Sequence, residues 1–219
     1  MSIHLQRDLD ALHRDLLTMS GLVEEMIHQA VDALSHPSEE RAKALRARDE
    51  EIDRWDVRIE DECLKTLALN QPVAGDLRRV SAVLRMTAEV ERVGDLAVHV
   101  AERACGLIPY PQMAVPEKLK RMGDVAADMF HRAIGAYVEL DAQLARDVRA
   151  TDDIVDELNR QIIRDLLQLM RAQPELIDPA MHMFSASKNI ERVADHSTKI
   201  SKDVVYLVEG ALIRHRWQT

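Results

Sequence analysis

Aromatic residues are scarce in this chain. Two Trp, three Tyr and two Phe make up 3% of 219 residues. Sheets draw on aromatic and β-branched residues for their cross-strand pairs, so the scarcity disfavours a β architecture. Gly and Pro number only seven each, which leaves long stretches without a helix breaker. There are two cysteines, Cys63 and Cys105, with no metal-type spacing between them. They read as reduced core thiols. Positive charge is in deficit: the net charge of -9 argues against nucleic acid, which needs a basic surface. No apolar run is long enough to span a membrane, and the opening "MSIHLQRDLD" lacks the apolar core of a signal peptide. A soluble cytoplasmic protein is the expectation. Catalytic signatures are missing too. There is no Gly-rich phosphate loop, no His-Glu-x-x-His helix and no Gly-x-Ser-x-Gly turn.

What is present is helical. Hydrophobic residues are 47% and charged residues 31%, rich in Ala, Leu, Glu, Asp and Arg. Leu5, Leu9, Leu12, Leu16, Met19, Val23, Met26 and Ala30 recur at alternating steps of four and three, an apolar helical seam. Ile52, Trp55, Ile59, Cys63 and Thr66 continue such a seam, as do Val155, Leu158, Ile162, Leu166 and Leu169. The pattern predicts six helices, over 3–34, 39–69, 74–106, 116–140, 142–172 and 176–209.

The chain also repeats itself. "LRARDEEID" (Leu45 to Asp53) aligns with "VRATDDIVD" (Val148 to Asp156), 103 residues on. Ser38 aligns with Asp141, and both are good helix N-caps. Gln71-Pro72 aligns with Gln173-Pro174 at 102, and Glu91 with Glu191 at 100. The fold class expected is therefore all-α: two tandem, pseudo-symmetric three-helix bundles of long antiparallel helices, residues 1–109 and 110–219.

Four acidic i,i+4 pairs fall at matched positions of the two repeats. Asp49/Asp53 and Asp152/Asp156 lie on the second helix of each, Glu91/Asp95 and Glu191/Asp195 on the third. The chain holds seven such pairs, about as many as 38 acids scattered at random would supply. Placement is therefore the signal, not number. Residues four apart share a helix face, where like charges repel. Two such helices side by side make an oxygen-rich site suited to Mg²⁺, Mn²⁺, Ca²⁺ or iron. The bland alternative is a solvated acidic face partnered by Arg54, Arg92 and Arg192. A second matched pattern, Glu25-x-x-His28 and Asp128-x-x-His131, is similar to the carboxylate-x-x-His motif of di-metal bundles. It raises the alternative of a di-metal carboxylate enzyme or metal store. His99 and His196 lie close to the acidic motifs. The terminal "RHRW" reads as a short solvated basic tail.

Four segments, "MSGLVEEMIHQAVDAL", "LALNQPVAGDLRRV", "ERVGDLAVHVAE" and "ERVADHSTKISKDVVYLVEG", together resemble the PhoU family of phosphate-transport accessory proteins. The resemblance spans nearly the whole chain. It implies two pseudo-symmetric three-helix bundles and a Glu/Asp-x-x-x-Asp motif in each half, on which some members hold iron or zinc clusters. On this chain the motif falls on Asp49, Asp53, Glu91, Asp95, Asp152, Asp156, Glu191 and Asp195. Leu96 departs from the polar residue the family often carries there, whereas His196 keeps it. The resemblance further implies regulation rather than catalysis. The expected partners are the ATPase of the phosphate ABC transporter and the phosphate-sensing histidine kinase. The membrane would be reached only through them, and the expected assembly is a homodimer.

Overall fold

A computed structural model describes residues 3–210. Among these the chain forms α1 (Ile3–Ser35), α2 (Glu39–Asn70), α3 (Ala74–Cys105), α4 (Glu117–Glu139), α5 (Ala142–Ala172) and α6 (Ile177–Glu209). The predicted bounds hold to within a residue, except that a short 3₁₀ turn, Pro174–Leu176, precedes α6. Proline cannot donate a backbone hydrogen bond and is tolerated only in a first turn, so Pro174 opens a tighter turn before the α-helix is established. The basic tail Arg214 to Trp217 lies outside the described residues.

Local chemistry sets the helix ends. Ser38 Oγ accepts from the Arg41 amide at 3.4 Å, and Asp141 Oδ1 from the amides of Gln143 and Leu144 at 2.8 and 3.0 Å. Each cap satisfies amides that the first turn leaves without partners, worth about 1 kcal/mol. α2 and α4 stop where Gln71 and Leu140 adopt left-handed backbone, φ 44° and 53°. No glycine is present at either stop, so these two turns carry some strain.

The α1 seam is buried throughout, and Leu16, Met19, Val23 and Met26 are fully enclosed. Trp55 is only half-buried, and Arg58 lies over its ring at 4.8 Å. Cys63 is buried and Cys105 half-buried, and both are free thiols.

The two three-helix sets meet through α3 against α6 and α1 against α4. α2 and α5 are outermost, each touching helices of its own set. The start of α1 lies beside the end of α4, and the start of α3 beside the end of α6, so both facing pairs run antiparallel. The pairs come close. A Cβ added at Gly123 on α4 would land 2.7 Å from Val31 Cγ2 on α1. Polar links also cross the seam. Glu24 bonds His131 Nδ1 at 2.9 Å, Glu89 bonds His196 Nδ1, and Arg85 bonds Asp203. Overpacking such a contact costs about 1–3 kcal/mol. Gly123→Leu should therefore lower unfolding free energy by about that amount in urea titration, whereas Gly135→Ala, where nothing lies within 4 Å, should not.

Candidate functional site

Each matched acidic set sits along one helix pair. In the first set, α2 supplies Asp49 and Asp53 and α3 supplies Glu91 and Asp95. The helices lie close at that level: a Cβ on Gly94 would stand 3.5 Å from Asp49 Oδ1. In the second set, α5 supplies Asp152 and Asp156 and α6 supplies Glu191 and Asp195. Ile52 and Val155, one turn inside the acids, are fully buried, which turns the adjacent carboxylates to the rim of the seam.

The carboxylates feel one another. Partial burial first, then the charges of Asp95 and Asp53, push Asp49 up to about 6. Burial followed by Asp95 pushes Glu91 up to about 7, with Asp56 and Asp53 adding to it. Asp152 stands at about 6 through burial, Asp195 and Asp156. Asp156 is raised by burial and then by Glu191. All eight predicted acids are thus drawn into two like-charge groups, one per repeat.

Two further acids join them. Asp56 extends the first group one turn along α2 and is itself raised, by burial first and then by Glu60 and Asp53. Asp153 adds its charge to the second. Both belong to i,i+4 acidic pairs, Asp56/Glu60 and Asp153/Glu157, that have no counterpart in the other repeat; the three-residue step from Asp53 to Asp56 along the same face was the further sign. At 103 residues from Asp56 the second repeat has Asn159, whose Oδ1 is buried without a hydrogen-bond partner.

Cationic side chains neutralise part of this charge. Arg92 reaches Asp95 Oδ2 at 3.1 Å and Glu91 Oε2 at 3.3 Å, and Lys188 pairs with Glu191. Arg92 thus fills the partner role expected of it, while Arg54 and Arg192 are exposed. His99 lies near enough to act on Asp49. His196 is instead turned to Glu89, away from a ligand role, with Lys199 Nζ at 3.4 Å. Among the described residues, no three His, Cys, Asp or Glu side chains stand arranged to hold one ion. The donor chemistry nonetheless fits a hard cation: each group is all-oxygen, crowded with like charge, and partly withdrawn from water.

The carboxylate-x-x-His residues do not converge. Glu25 bonds Arg48 at 2.7 Å, Asp128 lies 3.5 Å from Arg132, and His131 bonds Glu24. His28 is exposed. These groups are spent on surface ion pairs.

The fold and its two acidic seams define a class: tandem three-helix bundles bearing a paired carboxylate motif on the second and third helix of each. The PhoU domain model matches residues 16–104 and again 119–204, one match per repeat, and the chain belongs to the PhoU family. A phosphate-specific transport system accessory protein PhoU homolog of Deinococcus radiodurans is 35% identical over 207 residues, covering 94% of this chain and 97% of that relative. One from Aquifex aeolicus is 32% identical over 212 residues, covering 97% and 96%. Two crystal structures share the fold. PhoU from Pseudomonas aeruginosa superposes with TM-score 0.89 at 32% identity, over 94% of this chain and 99% of that one. The phosphate transport system regulatory protein PhoU from Streptococcus pneumoniae gives 0.90 at 26%, over 96% and 100%.

The raised carboxyls make a pH prediction. A carboxyl whose folded pKa exceeds its unfolded value destabilises the fold once ionised, and the penalty grows as pH rises between the two values. For Glu91 that window runs from about 4.5 to about 7. Without divalent cations, Glu91→Gln should be more stable than the parent at about pH 8, and the difference should vanish near pH 4. Thermal melts of both proteins across that range check it. A variant less stable at pH 8 would show that the Arg92 pair outweighs the crowding.

Proposed function

We propose that this chain is a non-enzymatic accessory regulator of phosphate transport. It docks to the ATPase of the phosphate ABC transporter and to the phosphate-sensing histidine kinase, and restrains uptake and phosphate-dependent transcription. The observation that carries this reading is full-length similarity to relatives named as phosphate-specific transport system accessory proteins. The architecture supports it: α2 and α5 lie outermost, and no helix among the described residues is long and apolar enough to cross a membrane. A cytoplasmic location and action on the membrane through partners follow from the proposal. So does a division into repeats at 1–109 and 110–219. A homodimer is part of it, supported by Val57 and Leu64, exposed seven residues apart on α2.

Within this proposal the acidic seams hold metal: Asp49, Asp53, Glu91 and Asp95 in one repeat, Asp152, Asp156, Glu191 and Asp195 in the other. Iron or zinc clusters are the expectation from the family, with Mg²⁺, Mn²⁺ or Ca²⁺ left open. Bound cations would offset the like-charge crowding and fix α2 against α3 and α5 against α6. The alternative, a di-metal enzyme or metal store, is disfavoured by the dispersal of Glu25, His28, Asp128 and His131.

Two experiments test the proposal. Pull-down from native extract at high and low phosphate should recover a transporter ATPase or a sensor kinase. Repeated failure, with no phosphate-linked phenotype on deletion, contradicts it. Asp95→Ala with Asp195→Ala should abolish bound metal in elemental analysis, and unchanged metal content would refute the site.

A further inference from the structure

A second feature lies at the opposite end of α3 from its acidic motif. A cavity of about 270 Å³ opens where α1 and α3 begin and α4 and α6 end. Its nearest α3 residue, Val83, precedes Glu91 by eight positions, about 12 Å along a helix. The walls are apolar, formed by Leu9, Leu12, Val83 and Leu207, all buried. Four polar groups line it: Asp10, His13, Tyr137 and Arg79.

Their chemistry is complementary. His13 Nδ1 lies 3.0 Å from the Tyr137 hydroxyl, and the rings are 5.1 Å apart. Burial and then the Arg79 charge hold His13 below its ordinary pKa, so the ring stays neutral, and burial raises Tyr137, so its hydroxyl stays protonated. One of the two donates to the other, so one donor proton stays free, on His13 Nε2 or on the Tyr137 hydroxyl according to the His13 tautomer. Arg79 acts electrostatically on both groups, yet its side chain is exposed and pairs with no carboxylate among the described residues. Asp10 lines the cavity too; its charge acts on His13 against the larger effects of burial and Arg79, and its carboxylate accepts from Gln6 at 2.7 Å.

This set is not a relic of duplication. At the offset of 103, His13 corresponds to Pro116 and Tyr137 to Leu34. At offsets of 100 to 102, Arg79 corresponds to Pro179, Ala180 or Met181. At that other end the chain fills the space itself: the His182 ring lies against Gly106, and Leu107, the counterpart of Leu207, is buried. At one end the corner between α3 and α6 is filled by the His182 ring. The other end is open and carries a cation, one free donor, the Asp10 carboxylate and a greasy wall.

We propose that this cavity binds a small organic oxyanion, a phosphate monoester or a carboxylate, with its anionic group at Arg79 and its apolar body against Leu9, Leu12, Val83 and Leu207. The volume lies just under the roughly 300–1,000 Å³ of drug-sized sites, so the ligand is about the size of a substituted benzene ring. A bare inorganic phosphate would leave the apolar wall wet. Because α1 and α3 of one repeat and α4 and α6 of the other form the walls, an occupant bridges the repeats and stabilises their present arrangement.

The test titrates phenyl phosphate, benzoate and inorganic phosphate separately into the full chain, following the His13 and Tyr137 ring signals by NMR. Saturable shifts with phenyl phosphate or benzoate are expected, and which of the two binds assigns the anionic group. Arg79→Gln, an exposed position whose fold is checked by circular dichroism, should weaken binding about ten-fold or more. The proposal is overturned if neither organic probe gives a saturable shift, if Arg79→Gln binds equally well, or if inorganic phosphate binds as tightly as phenyl phosphate.

Discussion

α3 and α6 run antiparallel through the centre of the molecule, and nearly every other feature is placed by their contact. α3 touches α1, α2 and α6, and α6 touches α3, α4 and α5. Small buried residues make the approach possible, among them Ala97 and Ala101 on α3 and Ala194, Ser197 and Ser201 on α6. Both acidic third-helix motifs ride on this pair. α2 and α5 close against its flanks, bringing Asp49 and Asp152 to Asp95 and Asp195. The seam between the repeats is also where the pseudo-symmetry fails. Glu89 meets His196, but the corresponding positions at an offset of 100 are Asn189 and Leu96. Each cross-repeat polar link occurs once, so the two halves dock in one arrangement rather than as interchangeable copies.

The acidic seams impose an electrostatic cost on this scaffold. Five carboxyls, Asp56 among them, are held above their ordinary range by burial and by neighbouring acids. Arg92 and Lys188 offset part of the repulsion, from one side. A protein selected for stability alone would replace such acids with neutral residues. Their retention at matched sites in both repeats is what a cation-binding use would require. The open cavity differs in character, with Arg79 in no ion pair among the described residues and a single acid, Asp10, in its lining. The two sites lie on different parts of the same central helices.

Much of this was legible in the sequence because helices write their packing locally. The i, i+3, i+4 seam of α1 marked its buried face residue by residue, and Ser38 and Asp141 marked helix starts through caps that need only three residues of context. The repeat offsets placed all eight motif acids in equivalent pairs, since one duplicated helix face carries each pair. Illegible were contacts across antiparallel helices, whose sequence separation has no period. His13 and Tyr137 are 124 residues apart, and Glu24 and His131 are 107. For the same reason Glu25, His28, Asp128 and His131 looked like a ligand set: the pattern reports a shared face, not which partner across the gap claims it. Trp55 fell on a predicted seam yet is only half-buried, and its ring meets the Arg58 guanidinium, a contact that a hydrophobic pattern does not register.

The crowded carboxyls of the two seams are proposed to form a cation site. The most direct measurement is the proton balance of binding. Calorimetric titration of the metal-free protein with Mn²⁺, Zn²⁺ and Fe²⁺ near pH 6.5, in two buffers of different ionisation enthalpy, counts protons released per ion. Asp49, Glu91 and Asp152 are partly protonated there, so a cation seated among them must displace protons, and release should fade as pH rises past about 8. Binding with no proton release at pH 6.5, or no binding of any of the three ions, would contradict the claim.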